Sequence, residues 1–126
     1  MIGERRVHST IPVSDVDRAG AWYEEKLGVR LVTTLPSGRM YEAAAGTRFV
    51  LFPSPNAGAS PNTLMGFDTP DIASDVRELK SRGVTFEEYD TPGFATVDSI
   101  ATRGPIRSAW FRDPDGNILG VVQLPE

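Results

Sequence analysis

An α+β fold built from two β-α-β-β-β modules is predicted by three features of this 126-residue chain. A strand, an aspartate cap, a helical stripe and a glycine stop occur twice, about 55 residues apart. A stretch of linker composition separates the two copies. The second copy then closes on a strong hairpin signal. A single domain is expected over residues 1–126, with module one at about 5–53, the linker at about 53–62 and module two at about 63–124.

Module one opens on a β-branched stretch at about residues 6–13, in which Pro12 marks a strand end or a sheet edge. Ser14-Asp15 offers an N-cap, and Val16, Ala19, Tyr23 and Leu27 follow at helical spacing. Gly28 ends the helix. Trp22 and Tyr23 read as core residues of this helix. Three antiparallel strands are then expected at Val29–Leu35, Met40–Ala45 and Arg48–Phe52, broken by Pro36-Ser-Gly38 and Gly46-Thr47.

Residues 53–62 (Pro-Ser-Pro-Asn-Ala-Gly-Ala-Ser-Pro-Asn) cannot hold a core. The pattern then restarts with a strand at Leu64–Phe67, a cap at Asp71, a stripe of Ile72, Val76 and Leu79, a stop at Gly83 and a strand at Val84–Tyr89. Asp15-Val16 matches Asp71-Ile72, and Leu27-Gly28-Val29 matches Arg82-Gly83-Val84. One such repeat is too short to bury its own sheet face, so the two copies are expected to pack together. Residues 90–107, with Phe94 and Arg103, read as a loop long enough to act as a lid. The last segment, Trp110-Phe-Arg-Asp-Pro-Asp-Gly-Asn-Ile-Leu-Gly-Val-Val-Gln123, reads as two strands around a turn. Pro114 presets φ, Asp113 bonds the backbone ahead of it, and Gly116 supplies a positive φ.

Composition narrows the function. Net charge is −4 and Lys or Arg form no run beyond Arg5-Arg6, which argues against nucleic acid and anionic membrane as partners. With no cysteine there is no disulfide, thiolate ligand or cysteine nucleophile. The N-terminus lacks an apolar leader pattern, and no apolar run approaches the ~20 residues a membrane helix needs. A soluble cytoplasmic protein is expected.

The opening Ile11–Gly28, the second copy Pro70–Val84 and the closing F-x-D-P-D-G-N hairpin resemble the vicinal oxygen chelate superfamily, which includes glyoxalase I, extradiol dioxygenases and bleomycin-resistance proteins. The resemblance covers nearly the whole chain. It implies that the two modules form a cupped mixed sheet, and that the protein is a homodimer. In metal-dependent members of that family, His, Gln or Glu side chains on the first, fourth, fifth and eighth strands hold a divalent ion, leaving positions open for substrate oxygens.

Carried onto this chain, those positions are His8, seven before Asp15; a fourth-strand site near Leu51; Leu64, seven before Asp71; and Gly120, four after Gly116. Leu and Gly supply no side-chain donor, so one ligand of four is kept, and no bound metal or other cofactor is expected. His8, the only histidine, is then a polar point beside Thr10 on one strand face. A Ser9–His8 nucleophile pair fails, because adjacent strand residues point to opposite faces. Asp113, Asp115 and Asn117 imitate a calcium loop, but Ile118 stands where that loop needs Gly and Leu124 where it needs Glu. Glu24-Glu25 and Glu87-Glu88 read as solvated faces, and no Gly-rich phosphate loop occurs.

The expected pocket therefore has apolar walls of Leu51, Leu64, Trp110 and Val122, with Gly120 beside them, Arg112 on the Trp110 face, and His8 and Thr10 as its polar points. Three functions fit such a cup. One is a metal-free binding protein for a small, partly aromatic molecule, as in the bleomycin-resistance branch. Another is a metal-dependent lyase, isomerase or dioxygenase with ligands at a different register. The third is a domain whose cup is filled by its own side chains.

Overall fold

A computed structural model describes residues 1–125 of the chain. It divides into an N-terminal unit, Met1–Ala59, and a C-terminal unit beginning at Ser60.

The N-terminal unit runs β1 (His8–Val13), α1 (Val16–Trp22), a π-helical turn (Tyr23–Leu27), β2 (Arg30–Leu35), β3 (Gly38–Glu42) and β4 (Arg48–Pro53). Its strands lie in the order β1-β4-β3-β2, with β1 parallel to β4 and the other pairs antiparallel. The Asp15 carboxylate accepts from the Arg18 amide at 3.1 Å, satisfying one of the amides that a helix start leaves unpaired. Gly28 ends the helical segment in the left-handed region, at φ 71°. Pro12, which has no amide to donate, sits on the edge strand of the sheet.

Strand alternation gives this sheet two different faces. Ile11 and Val13 of β1 and Phe49 and Leu51 of β4 point to the helix-covered side and are buried. Tyr23 and Tyr41 complete that core, each with its ring 5.7 Å from that of Phe49. Trp22 is half-buried and meets Tyr23 edge-on at 5.1 Å. The predicted strand to Ala45 ends at Glu42 instead, because Ala44–Gly46 turns as a 3-10 helix with Ala45 at φ 57°. Beyond Pro53 the chain proceeds by turns such as Ala57 N to Ser54 O, 3.3 Å.

The C-terminal unit repeats the plan and enlarges it. It runs β5 (Thr63–Asp68), α2 (Ile72–Ser81), β6 (Asp90–Thr91), β7 (Phe94–Val97), β8 (Ile100–Arg103), β9 (Ile106–Arg112) and β10 (Ile118–Gln123). The order is β5-β10-β9-β8-β7-β6, with β5 parallel to β10. The start of α2 is fixed twice, by Asp71 accepting from the Ser74 amide at 3.2 Å and by Gln123 Oε1 accepting from the Ile72 amide at 2.9 Å. In each unit the first strand lies parallel to the last, and an antiparallel run continues beyond it, through two strands in the N-terminal sheet and four in the C-terminal one. The fold class is therefore α+β with two β-α-β-β-β modules, as predicted.

Two expectations for this unit need correction. Residues 84–89 are not a strand: they are irregular, with one bridge from Phe86 to Phe111. The stretch 90–107 is not a loop: it contains β6, β7, β8 and the start of β9. The β7–β8 turn explains both. Its central residues, Asp98 and Ser99, have φ of 52° and 72°, the type I′ geometry usually assigned to Asn-Gly. Ser99 holds this conformation while fully buried, because its amide donates to Glu88 Oε1 at 3.0 Å and its hydroxyl donates to Glu88 Oε2. Thr96 adds a third bond to the same carboxylate, at 2.8 Å. These bonds to Ser99 and then Thr96 hold the Glu88 carboxyl below its usual pKa.

In the closing hairpin the Gly116 amide donates to Asp113 O at 3.0 Å, and Gly116 has φ 87°. The Asp113 carboxylate accepts from the amides of Asp115 and Asn117, both at 2.9 Å, and from Asn117 Nδ2 at 2.8 Å. This buried carboxylate serves the turn, and its bonds fix where each residue of β9 and β10 points.

Candidate functional site

The helix of each unit covers one sheet face and leaves the other open. The open face of the N-terminal unit carries His8 and Thr10 from β1, Leu35 from β2, and Val50 and Phe52 from β4. Together with Ser37 they line a shallow hollow of about 470 Å³. His8 and Thr10 are thus brought together, as expected. Leu51 is not among them. It is fully buried on the opposite face, paired in register with Ile11, while Val50 pairs with Thr10. A shift of one residue moves a strand position from one face to the other, and the expectation for Leu51 was one residue out.

The open face of the C-terminal unit is aromatic. Trp110 on β9 is half-buried, between neighbours Ala109 and Phe111 that point to the helix side and are fully buried. Its ring lies 5.4 Å from that of Phe94 and 5.8 Å from that of Tyr89, and those two rings are 5.1 Å apart. All three keep some solvent exposure. Gly120 pairs with Trp110 in register, and a Cβ at Gly120 would stand 3.5 Å from Trp110 Cδ1. The space that a side chain at position 120 would enter is therefore bordered by the indole. Val122, half-buried, follows on the same face opposite Ser108. Leu64 falls where the β5–β10 register shifts between Ile118 and Leu119, and it alternates onto the face of Gly66.

Arg112 shares the Trp110 face by alternation, but its guanidinium is engaged elsewhere. Nε donates to the Glu87 carboxylate and Nη1 to Gly116 O at 3.0 Å. It braces the hairpin turn. Tyr89 was not singled out from sequence, and Phe94 was expected on a lid loop rather than a strand. The usable signal was the alternation Phe94-Ala-Thr-Val97 followed by Ile100-Ala-Thr-Arg103, which is a hairpin pattern whose turn contains no glycine.

A metal-binding version of this fold needs several donors converging on one point. His8 supplies an imidazole, Leu64 and Gly120 supply none, and Leu51 faces the other way. Among the described residues no group of three or more His, Cys, Asp or Glu side chains is placed to hold an ion. Among the described residues, the four matched positions offer one donor side chain, that of His8. Of the carboxylates in the N-terminal unit, Glu42 is held below its usual pKa by its bond to Arg48 and then by Arg30, an ion-paired cluster on β2–β4.

Two modules of this topology, each with one open face, define the class of fold. Comparison with known proteins is consistent with it. Residues 5–121 match the model of the Glyoxalase/Bleomycin resistance protein/Dioxygenase superfamily, and the chain belongs to that family. The uncharacterised protein YurT of Bacillus subtilis is 28% identical, over 93% of this chain and 97% of its own. TnmS3, an antibiotic binding protein from a Streptomyces species, is 28% identical with a TM-score of 0.70, covering 99% of both chains. A bleomycin resistance determinant encoded on the transposon Tn5 shares the fold at 21% identity and a TM-score of 0.73, over 97% of this chain and 99% of that one. No helix among the described residues is long and apolar enough to cross a membrane.

Proposed function

We propose that this chain is a binding protein that holds a small, partly aromatic molecule without the help of a metal ion. The observation that carries the reading is the cluster of Tyr89, Phe94 and Trp110, three partly exposed rings on the open face of one sheet. Aromatic rings left at a surface gain from an aromatic partner both burial and ring–ring contact. Gly120 beside the indole keeps the approach free of side-chain bulk. The likeness to TnmS3, an antibiotic binding protein, supports a small-molecule ligand.

In this reading the ligand is held by stacking and apolar burial rather than by coordination, because the donor set has been reduced to His8. The chain acts as a homodimer, since sheets with unpaired edge strands are commonly covered by a second copy. A thermal-shift screen of aromatic natural products and related compounds tests the proposal, run in EDTA and again with Mn²⁺, Ni²⁺, Zn²⁺ or Fe²⁺. The proposal expects stabilisation by at least one aromatic compound in EDTA. Stabilisation that appears only with a divalent metal would restore the enzyme reading, and none under any condition would favour a face filled by its own side chains.

A further inference from the structure

The helix-covered face of the C-terminal unit has its own recess, on the side of the sheet opposite Trp110. Helix α2 packs on β9 and β10. The six-stranded sheet extends past it through β8 and β7. A concavity of about 710 Å³ is left between the flank of α2 and strands β7–β9, within the usual range for small-molecule sites. Its floor is apolar: Val76 from the helix and Ile100 from β8 are both buried there, and Val97 of β7, 75% exposed, stands in its wall.

Three cations share this recess. Arg77 and Lys80 lie three residues apart on α2, which places them on adjacent turns of one helix side. Arg107 approaches from β9, where it pairs in register with Thr102, another lining residue. None of the three is in an ion pair among the described residues. The opposing charge in the wall is Asp98, at the β7–β8 turn. Glu88 also feels Lys80, but its oxygens are taken by Ser99 and Thr96. Two guanidinium groups and an ammonium around one apolar floor repel each other unless an anion joins them.

We infer that this recess is a second binding site, for a small soluble molecule carrying a phosphate or carboxylate on an apolar group. The anion is taken by Arg77, Lys80 and Arg107, and the apolar part rests on Val76, Val97 and Ile100. The site is independent of the aromatic face, so either can stand if the other fails.

The test is an amide NMR titration of the full chain with phenyl phosphate and, separately, inorganic phosphate. Saturable shifts are expected at Arg77, Lys80, Val97, Asp98 and Arg107 and not at Tyr89, Phe94 or Trp110. Phenyl phosphate should bind more tightly than inorganic phosphate, because only it covers the floor. Arg77→Gln and Arg107→Gln, each checked for an unchanged spectrum, should weaken phenyl phosphate about tenfold, the scale of one charge-assisted hydrogen bond. Added salt should weaken it further. A third arm sediments the chain with vesicles containing phosphatidylglycerol. Vesicle binding without phenyl phosphate shifts would overturn the small-molecule assignment. So would shifts confined to the aromatic face, affinity unchanged in both Arg variants, or no saturable shift at all.

Discussion

Gly20 of α1 lies directly against the phenol of Tyr41 on β3, so closely that a Cβ at Gly20 would stand 2.5 Å from Tyr41 Oη and 2.7 Å from Arg39 Nη1. Tyr41 donates in turn to Glu24 Oε2 at 2.9 Å and is otherwise fully buried. Burial first, and then the bond to Glu24, raises its phenol above the usual tyrosine range. A glycine in a helix, usually a liability, here makes room for a buried hydroxyl of β3 that bonds back to Glu24 of the helical segment.

Gly20→Ala is accordingly expected to destabilise the fold. Helix propensity alone would favour alanine by up to about 1 kcal/mol, but overpacking at this distance costs about 1–3 kcal/mol. Chemical denaturation should show a lowered midpoint with an unchanged slope. Tyr41→Phe in the same chain should recover part of the loss, since it removes the oxygen that the new methyl group meets.

Trp110→Ala should weaken any aromatic ligand more than Trp22→Ala does. Trp110 stands on the open face with Phe94 and Tyr89, whereas Trp22 packs edge-on against the buried Tyr23. Stacking contributes about 0.5–1.5 kcal/mol beyond buried area, which is up to roughly tenfold in affinity. Calorimetric titration of both variants checks the order, and a larger loss in Trp22→Ala with the fold intact would refute the assignment of faces.

Glu88 should give the C-terminal unit an acid-sensitive component of stability. Its carboxyl is held below the usual range by Ser99 and Thr96, so folding favours the ionised form. That contribution is complete above the unfolded-state pKa of about 4.3 and declines as pH falls through the lower, folded-state value. Glu88→Gln should be less stable than the parent at pH 7, with the gap narrowing below pH ~4. Denaturation midpoints at the two pH values measure it, and a gap that stays constant would show that the bonds to Ser99 do not depend on charge.

Much of this was legible in the chain, and what was not has identifiable causes. Asp15 and Asp71 read as caps because short side chains reach the third amide of a helix by local geometry alone. The faces of Trp110, Gly120 and Val122 could be counted from Gly116, since a tight turn fixes register on both sides. Leu51 had no such anchor. Its strand follows the irregular Ala43–Thr47 connection, and an uncertainty of one residue was enough to exchange it with Val50. Strands β6 to β8 were hidden for a different reason: Asp98-Ser99 becomes a hairpin turn through bonds to Glu88, a tertiary contact that no local signal carries. With those strands went Tyr89 and the true placement of Phe94, two of the three rings at the proposed site.

Self-association is the next expectation. Sedimentation velocity at micromolar concentration should show a species of twice the chain's 13.7 kDa. A single species at the chain mass across that range would remove the homodimer from the proposal.

The central claim is that an aromatic molecule binds the open face without a metal. Its most direct test is calorimetric titration of the best ligand into protein freed of metal with EDTA, repeated with one equivalent of Zn²⁺, Ni²⁺, Mn²⁺ or Fe²⁺, alongside elemental analysis of the protein as purified. The expected result is the same affinity in every titration, sensitivity to Trp110→Ala, and no stoichiometric divalent metal. Binding that requires the metal, with near one ion per chain that disappears in His8→Ala, would contradict it.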